Sequence, residues 1–214
     1  MARMLTSLGI PCGHESIFNQ TPYVKENLSG KRKLGLSECS LDSCEKWIDI
    51  ENIVADSSYM AVPYLDLIPE TPLIHVVRDP LLVISSFVRD FDYFKSKAPG
   101  ENDYQKLIYS TLPDLKSIKN PVERAAYFYV SWNRLIEEQS RDRKLFFKIE
   151  SDDVKSVADF LNKEVPEGVF NGVEVNSRKT EKNRFSLADI PEGSIKNSLV
   201  KMSVKYGYAG PLLL

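Results

Sequence analysis

A β-branched run, Leu73–Val77, constrains the fold of this chain more than any other segment. Its length and composition are typical of a strand that is buried on both faces of a parallel sheet. Asp79 and Pro80 follow almost at once, a good helix cap and a residue favoured at the first helical position. Apolar residues then recur at helical spacing from position 81 to position 91. We therefore expect a buried strand, a tight turn and a helix in direct succession.

The rest of the sequence also alternates strand and helix patterns. Further strands are predicted at 52–55 and 144–149. Helices are predicted at 1–8, 59–67, 122–139, 154–161 and 194–206. Residues 19–46 are predicted to form a loop with at most one short helix, residues 97–121 an insertion or lid, and residues 163–191 an irregular segment. This alternation predicts an α/β three-layer sandwich with a mainly parallel central sheet, and 214 residues suit a single domain spanning 1–214.

Composition excludes several classes of protein. The net charge of −2 argues against a general nucleic-acid binder, which would need a strongly basic face. No apolar run has the length of a membrane span, and no signal-peptide pattern opens the sequence, so a cytoplasmic protein is expected. Cys12, Cys39 and Cys44 form no disulfide framework, and the last two lack the neighbours of a zinc site.

Arg78 is the strongest candidate for a ligand-binding residue. It ends the predicted strand Leu73–Val77, and ligands of open α/β sheets bind beyond the carboxyl ends of the strands. A guanidinium beside free backbone N–H groups at a helix start suits a phosphate. Ser86 lies two helical turns further on and could offer a hydroxyl to the same anion. The alternative is that Arg78 pairs with a carboxylate and that Ser86 is a surface hydroxyl.

This segment resembles the 3′-phosphate-binding element of sulfotransferases that use 3′-phosphoadenosine 5′-phosphosulfate (PAPS). In that family a strand ends in Arg, a short turn follows, and a Ser stands eight residues after the Arg. The resemblance implies a fold like that of P-loop nucleotide hydrolases, with Arg78 and Ser86 holding the 3′-phosphate of PAPS and of its product PAP. Arg178 and Lys179 look similar to a basic loop that lies over the nucleotide late in the sequence of this family. The alternative is that they belong to a solvated cluster of charges.

The segment Cys12–Glu15 resembles a Cys-Gly-Glu-Glu segment of tyrosylprotein sulfotransferases, which follows the helix that leaves the phosphate loop. The resemblance implies that Glu15 is the catalytic base, with His14 in place of the first Glu. Sulfuryl transfer to a hydroxyl needs a group that takes the proton of the acceptor. Glu15 is the first choice for that base and His14 the second, while both could also be ordinary loop residues.

Other side chains receive weaker assignments. Asp56 and Ser57 follow the strand predicted at 52–55, so they are candidates for acceptor binding or for capping the next helix. Glu150 is expected to be structural, as a cap of the following helix. His75 and the aromatic residues at 127–132 are expected to belong to the core.

The strongest motif of the resembling family does not occur. No Arg-Ser-Gly-Thr-like run that would wrap a 5′-phosphosulfate stands anywhere in the sequence. The resemblance therefore implies that a first strand and its phosphate loop are missing, either by truncation before Met1 or as a natural variant without catalysis. The helix pattern at Met1 has no capping residue before it, which favours truncation. Little or no activity is expected of this chain alone.

The first functional hypothesis is therefore a PAPS-dependent sulfotransferase that acts on a hydroxyl acceptor and needs no metal. The sequence does not identify the acceptor, which could be a carbohydrate, a small alcohol, a lipid or a peptide tyrosine. One alternative is a non-catalytic nucleotide- or partner-binding domain of the same fold. The other is a P-loop small-molecule kinase, which would need Mg²⁺ ligands and a phosphate loop with Lys and Thr.

Overall fold

The computed structural model describes residues 1–15, 17–18, 54–91, 94, 103–167 and 185–208. Two compact units divide the chain. The first unit comprises Met1–Tyr64 and Asp153–Val173, and the second comprises Leu65–Asp152 and Glu174–Leu214. The prediction of a single domain stays a prediction. Within the described ranges, no helix is both long and apolar enough to cross a membrane.

The described chain has a mixed α/β architecture with four short strands in two parallel pairs. The strands are β1 Cys12–His14, β2 Ala55–Ser57, β3 Leu73–Val77 and β4 Lys144–Lys148. The α-helices are α1 Ala2–Ser7, α2 Pro80–Asp90, α3 Asp103–Thr111, α4 Pro121–Glu137, α5 Val154–Phe160 and α6 Ser194–Lys205. Three 3₁₀ segments are Tyr59–Leu67, Pro113–Lys116 and Leu187–Asp189. The α/β class and the parallel strands are thereby confirmed, whereas the three-layer sandwich stays a prediction.

In the first unit, β1 pairs in parallel with β2, so that Cys12 lies opposite Ala55 and His14 lies opposite Ser57. Helix α1 packs on this pair and buries Leu5. Gly9 stands just after the Leu8 cap of this helix, and its φ of 72° lies in the left-handed region that glycine enters without strain. Because parallel strands end at a common edge, the residues that follow β1 and β2 leave the pair on the same side.

In the second unit, β3 pairs in parallel with β4, and His75 lies opposite Phe146. One face of helix α4 is largely buried. The side chain of Asn120 caps this helix and accepts hydrogen bonds from the N–H groups of Val122 and Glu123. An aromatic cluster closes the core around α2 and α4. Its members are Phe87, Phe94, Phe128 and Trp132, with neighbouring ring centroids 4.8–5.6 Å apart.

His75 is a core residue, as predicted. Its side chain is buried, and its Nε2 lies 2.8 Å from Oδ1 of Asn133 on α4. The rings of Phe146 and Tyr206 pack edge-on against the imidazole at 5.8 Å. Burial lowers the pKa of His75, because the charged form loses its hydration there.

Several predicted elements match the structure closely. Strand β3 has the predicted bounds, and α2 begins at Pro80 after an Asp79 cap as expected. The helices α4, α5 and α6 lie within two residues of their predicted ends. Strand β3 is less buried than predicted, since Val76 is 38% exposed.

Two predictions of local structure were wrong, and one segment contains helices that were not predicted. That segment is 97–121, predicted as an insertion or lid, and its described part contains α3 and the 3₁₀ segment Pro113–Lys116. The strand predicted at 52–55 lies later, at Ala55–Ser57, while residues 51–53 fall outside the described residues. Glu150 does not cap α5, because Asp153 fills that position and accepts a hydrogen bond from the N–H of Ser156.

Candidate functional site

One group of candidate residues lies at the carboxyl end of the β1–β2 pair. The backbone carbonyl of Ser57 accepts the N–H of Glu15 at 3.3 Å and lies 2.9 Å from Nδ1 of His14. A carbonyl oxygen can only accept, so Nδ1 of His14 carries the proton in this contact. In the neutral imidazole, Nε2 is then left as an acceptor. The structure therefore brings Glu15, His14 and Ser57 together at one edge of this pair.

Glu15 has a strained backbone. Its φ of 53° lies in the left-handed region, which is uncommon for a residue other than glycine, asparagine or aspartate. Burial raises the pKa of its carboxyl; the nearby His14 opposes this rise and Asp56 adds to it. Strained backbone of this kind is found disproportionately at functional sites. A half-buried carboxyl with a raised pKa is also better suited to accept a proton than an exposed one.

Asp56 has a role in holding the chain that follows Glu15. Its Oδ2 accepts the N–H groups of Ile17 and Phe18, both at 3.0 Å. The sequence predicted that Asp56 follows a strand, whereas the structure places it inside β2. Ser58 strengthens the same junction, since its hydroxyl donates to the carbonyl of Phe18 at 2.7 Å. The carboxylate of Asp56 thus orders the turn beside Glu15.

Cys12 precedes this group on β1. Burial raises the pKa of its thiol to about 11, and the charge of Asp56 acts in the same direction. The thiol is therefore protonated at neutral pH. A cysteine reacts as its thiolate, so protonation makes this side chain unreactive. Cys12 therefore does not have the character of a nucleophile.

A second group of candidates lies in the second unit, where β3 meets α2. Asp79 caps the helix, and its Oδ1 accepts the N–H groups of Leu81 at 2.9 Å and Leu82 at 3.2 Å. The N–H of Asp79 itself donates to Oε1 of Glu150 at 3.1 Å. Pro80 has no N–H group to offer. The prediction of free N–H groups here for a phosphate was wrong, because those of Leu81 and Leu82 donate to Asp79 and that of Asp79 donates to Glu150.

Arg78 is the last residue before this capped helix start. Its side chain is 49% exposed, and its Nε forms an ion pair with Oε1 of Glu150 at 3.8 Å. The hydroxyl of Tyr129 donates to the backbone carbonyl of Arg78 at 3.1 Å, which ties the end of β3 to α4. In the part of the chain that the structure describes, the terminal nitrogens of the guanidinium carry no hydrogen bond. Arg78 is thus anchored at its base and open at its tip.

Ser86 lies on α2, seven residues and nearly two turns after the Asp79 cap, so the two positions share a helix face. Its hydroxyl donates to Oδ2 of Asp90 at 3.0 Å. Arg89 pairs with the same carboxylate at 2.8 Å. Among the described residues, no hydrogen bond or ion pair joins Ser86 to Arg78. An anion at Ser86 would have to replace the contact with Asp90.

Glu150 is a residue whose role the sequence analysis missed. Besides its contacts with Arg78 and Asp79, its Oε2 accepts the hydroxyl of Tyr208. The ammonium of Lys148 lies 4.2 Å from the centre of the Tyr208 ring and donates to the carbonyl of Gly207 at 3.0 Å. Burial, followed by the charge of Glu150, raises the pKa of Tyr208. Glu150 stands just past the end of β4, a position that could have marked it as a site residue.

Ser85 is a second residue that the sequence analysis missed. Its buried hydroxyl donates to the carbonyl of Leu81 at 2.6 Å and accepts the N–H of Phe185 at 2.9 Å. This contact fastens a segment one hundred positions away onto α2. A serine on the apolar face of an amphipathic helix is a signal that the sequence did contain.

The remaining candidates cannot be placed in the same way. Arg178 and Lys179 lie outside the described residues, as do Cys39 and Cys44. In the described ranges, no group of three or more His, Cys, Asp or Glu side chains is arranged to hold a metal ion.

Comparison with known protein families, with curated proteins and with solved structures finds no match to this chain.

Proposed function

We propose that this chain is a PAPS-dependent sulfotransferase domain that acts on a hydroxyl acceptor. The observation that carries the proposal is the position of Arg78. It follows β3 directly, its terminal nitrogens carry no hydrogen bond from the described residues, and its side chain is half exposed. A planar guanidinium with free donors matches a phosphate in a bidentate geometry.

The residues present fit one end of the nucleotide. Arg78 would hold the 3′-phosphate, and Ser86 would contribute once its hydroxyl leaves Asp90. Arg178 and Lys179 are proposed to cover the nucleotide. The N–H groups at the start of α2 take no part, because Asp79 occupies those of Leu81 and Leu82. No residues of this sequence correspond to the loop for the 5′-phosphosulfate, so the fit concerns the 3′-phosphate alone.

Glu15 is the proposed base. PAPS, when bound, supplies the sulfuryl group, and the task of Glu15 is to take the proton of the acceptor hydroxyl. The raised pKa of Glu15 supports this role because it brings the carboxyl closer to the pH at which a base works best. His14 is the second choice, through its Nε2. Asp56 and Ser57 are the proposed acceptor-side residues, since they share the strand edge with Glu15.

A second candidate is a nucleotide-binding domain without catalysis. In such a domain Arg78 would keep the same task. A P-loop kinase receives less support, because the sequence contains neither a Lys-Thr phosphate loop nor a Walker spacing. Binding of PAP without any transfer would favour the second candidate.

The experiment that tests the proposal is a calorimetric titration of PAP, with ADP and AMP as comparison ligands. AMP differs from PAP only by the 3′-phosphate, so the ratio of the two affinities reports the 3′-phosphate site. We expect Arg78→Ala to reduce that ratio about tenfold to a hundredfold, which corresponds to the loss of hydrogen bonds to a charged group. Arg134→Ala is the matched control, since Arg134 is an exposed arginine on α4.

The proposal fails if PAP binds no better than AMP or ADP. It also fails if the preference for PAP survives in Arg78→Ala. The 3′-phosphate site is supported if the unaltered chain and Arg134→Ala both prefer PAP and Arg78→Ala does not. Transfer of sulfate to a phenol would then separate the enzyme from the non-catalytic domain.

A further inference from the structure

Glu150 is a carboxylate beside Arg78, where its negative charge would be expected to weaken the binding of an anion. Its contacts indicate a different role. It is the ion-pair partner of Arg78 at Nε, with a distance of 3.8 Å. Nε is the side of the guanidinium nearest the backbone. A partner at Nε restricts the rotation of the group and leaves the two terminal nitrogens for another ligand.

The carboxylate of Glu150 is itself fixed on both oxygens. Oε1 accepts the N–H of Asp79 at 3.1 Å, which ties it to the first residue after Arg78. Oε2 accepts the hydroxyl of Tyr208, whose ring is covered by the ammonium of Lys148 at 4.2 Å. A carboxylate with a hydrogen-bond partner on each oxygen has few rotamers left, so it can impose an orientation on a third group, Arg78.

We propose that Glu150, held in place by Tyr208, is a positioning residue that orients the Arg78 guanidinium toward a phosphate. The inference rests on the proposed function for the identity of the ligand. It adds two residues, distant from Arg78 in sequence, that act through Arg78 without touching the nucleotide. The carboxylate also neutralises part of the charge of Arg78, so the site selects a ligand by geometry more than by charge.

The first arm of the test needs no ligand. The Nε–H resonance of Arg78 is followed by nitrogen NMR and assigned by its absence in Arg78→Lys. We expect Glu150→Gln to shift this resonance and to speed the exchange of its proton with water. Tyr208→Phe should cause a smaller change in the same direction, because it removes only the hydroxyl that holds Oε2. Glu138→Gln is the control, since Glu138 is an exposed acid in the same unit.

The second arm measures the ratio of the PAP and AMP affinities. Loss of the negative charge of Glu150 raises the affinity for PAP more than that for AMP, because only PAP carries the 3′-phosphate that would lie beside it, so this effect alone raises the ratio. Loss of orientation lowers the ratio, and Tyr208→Phe tests it with the charge of Glu150 kept. We expect a decrease of about threefold in Tyr208→Phe, within the range for one ordinary hydrogen bond. Thermal unfolding of each variant shows whether a change follows stability, and a purely structural Glu150 would leave the Arg78 resonance unchanged.

The two arms separate the two ideas. An unchanged Arg78 resonance in Glu150→Gln overturns the positioning role, whatever happens to PAP. An unchanged or higher ratio in Tyr208→Phe, which keeps the charge of Glu150, overturns it as well. If the unaltered chain does not prefer PAP, the proposed function fails, while the NMR arm still decides whether Glu150 orients Arg78.

Discussion

Replacement of Glu15 by glycine should make the protein more stable. The left-handed φ of 53° costs a residue with a Cβ about 1–2 kcal/mol, and glycine avoids that cost. Glycine in turn gains freedom in the unfolded chain, which costs about 0.5–1 kcal/mol. The backbone effect alone is therefore a gain of about 0.5–1 kcal/mol.

The carboxyl of Glu15 adds a contribution that depends on pH. Its pKa is raised in the folded protein, so its ionised form is less favourable there than in the unfolded chain. This penalty is absent below the unfolded pKa of about 4.3 and develops as the pH rises through and beyond that value. The gain from Glu15→Gly should thus be larger at pH 7 than at pH 4. Glu15→Gln keeps the backbone strain and removes only this part.

The assay is urea unfolding at both pH values. With a slope of about 2 kcal/mol per molar urea, the backbone gain moves the midpoint upward by about 0.25–0.5 M. Asn162 is the internal control, since its φ of 52° is almost the same and asparagine tolerates this region better. We expect Asn162→Gly to gain less than Glu15→Gly. A Glu15→Gly protein that is less stable than the original at pH 7 would refute the account of strain and desolvation at this residue.

Two further predictions concern one titratable group in each unit, the buried His75 and the half-buried Cys12. The pKa of His75 is lowered in the folded protein, so the unfolded chain takes up a proton first and stability should fall as the pH drops below about 6.5. Between pH 7.5 and pH 5.5, the unfolding temperature should fall more for the original protein and for His14→Gln than for His75→Gln. Equal falls in all three proteins would contradict this. Because the pKa of Cys12 is about 11, its thiol should react with a maleimide at pH 7.5 at least tenfold more slowly than free cysteine once Cys39 and Cys44 are replaced by serine, and a rate equal to that of free cysteine would show that the thiol is not shielded.

The elements that the sequence predicted well are those whose signals lie within a few residues. The run Leu73–Val77 shows its β-branched character locally, and the pair Asp79 and Pro80 marks the start of α2 without reference to any distant residue. Strand β1 was missed because it is three residues long, contains Gly13, and exists through pairing with β2 some forty positions later. Its formation depends on contacts that local propensity does not describe.

Helix α3 was missed for a different reason. Its buried positions Gln105, Ile108 and Tyr109, continued by Leu112, follow the spacing i, i+3, i+4 and i+7 of an amphipathic helix. The prediction gave more importance to the Pro, Gly and Asn residues around this segment than to the period within it. The signal was present, so this part of the fold was accessible from the sequence.

The same distinction applies to the site at Arg78. Sequence order placed Arg78 after a strand and Ser86 two turns along the helix, and the structure places both there. The prediction of free N–H groups conflicted with the prediction of an Asp79 cap, since a capping carboxylate occupies those groups. That conflict could have been recognised from the sequence. The contacts of Glu150 could not, because they join residues 71 and 58 positions apart. The proposed recognition of an anion here therefore rests on side chains, and the residue proposed to orient Arg78 lies just past the end of another strand, β4.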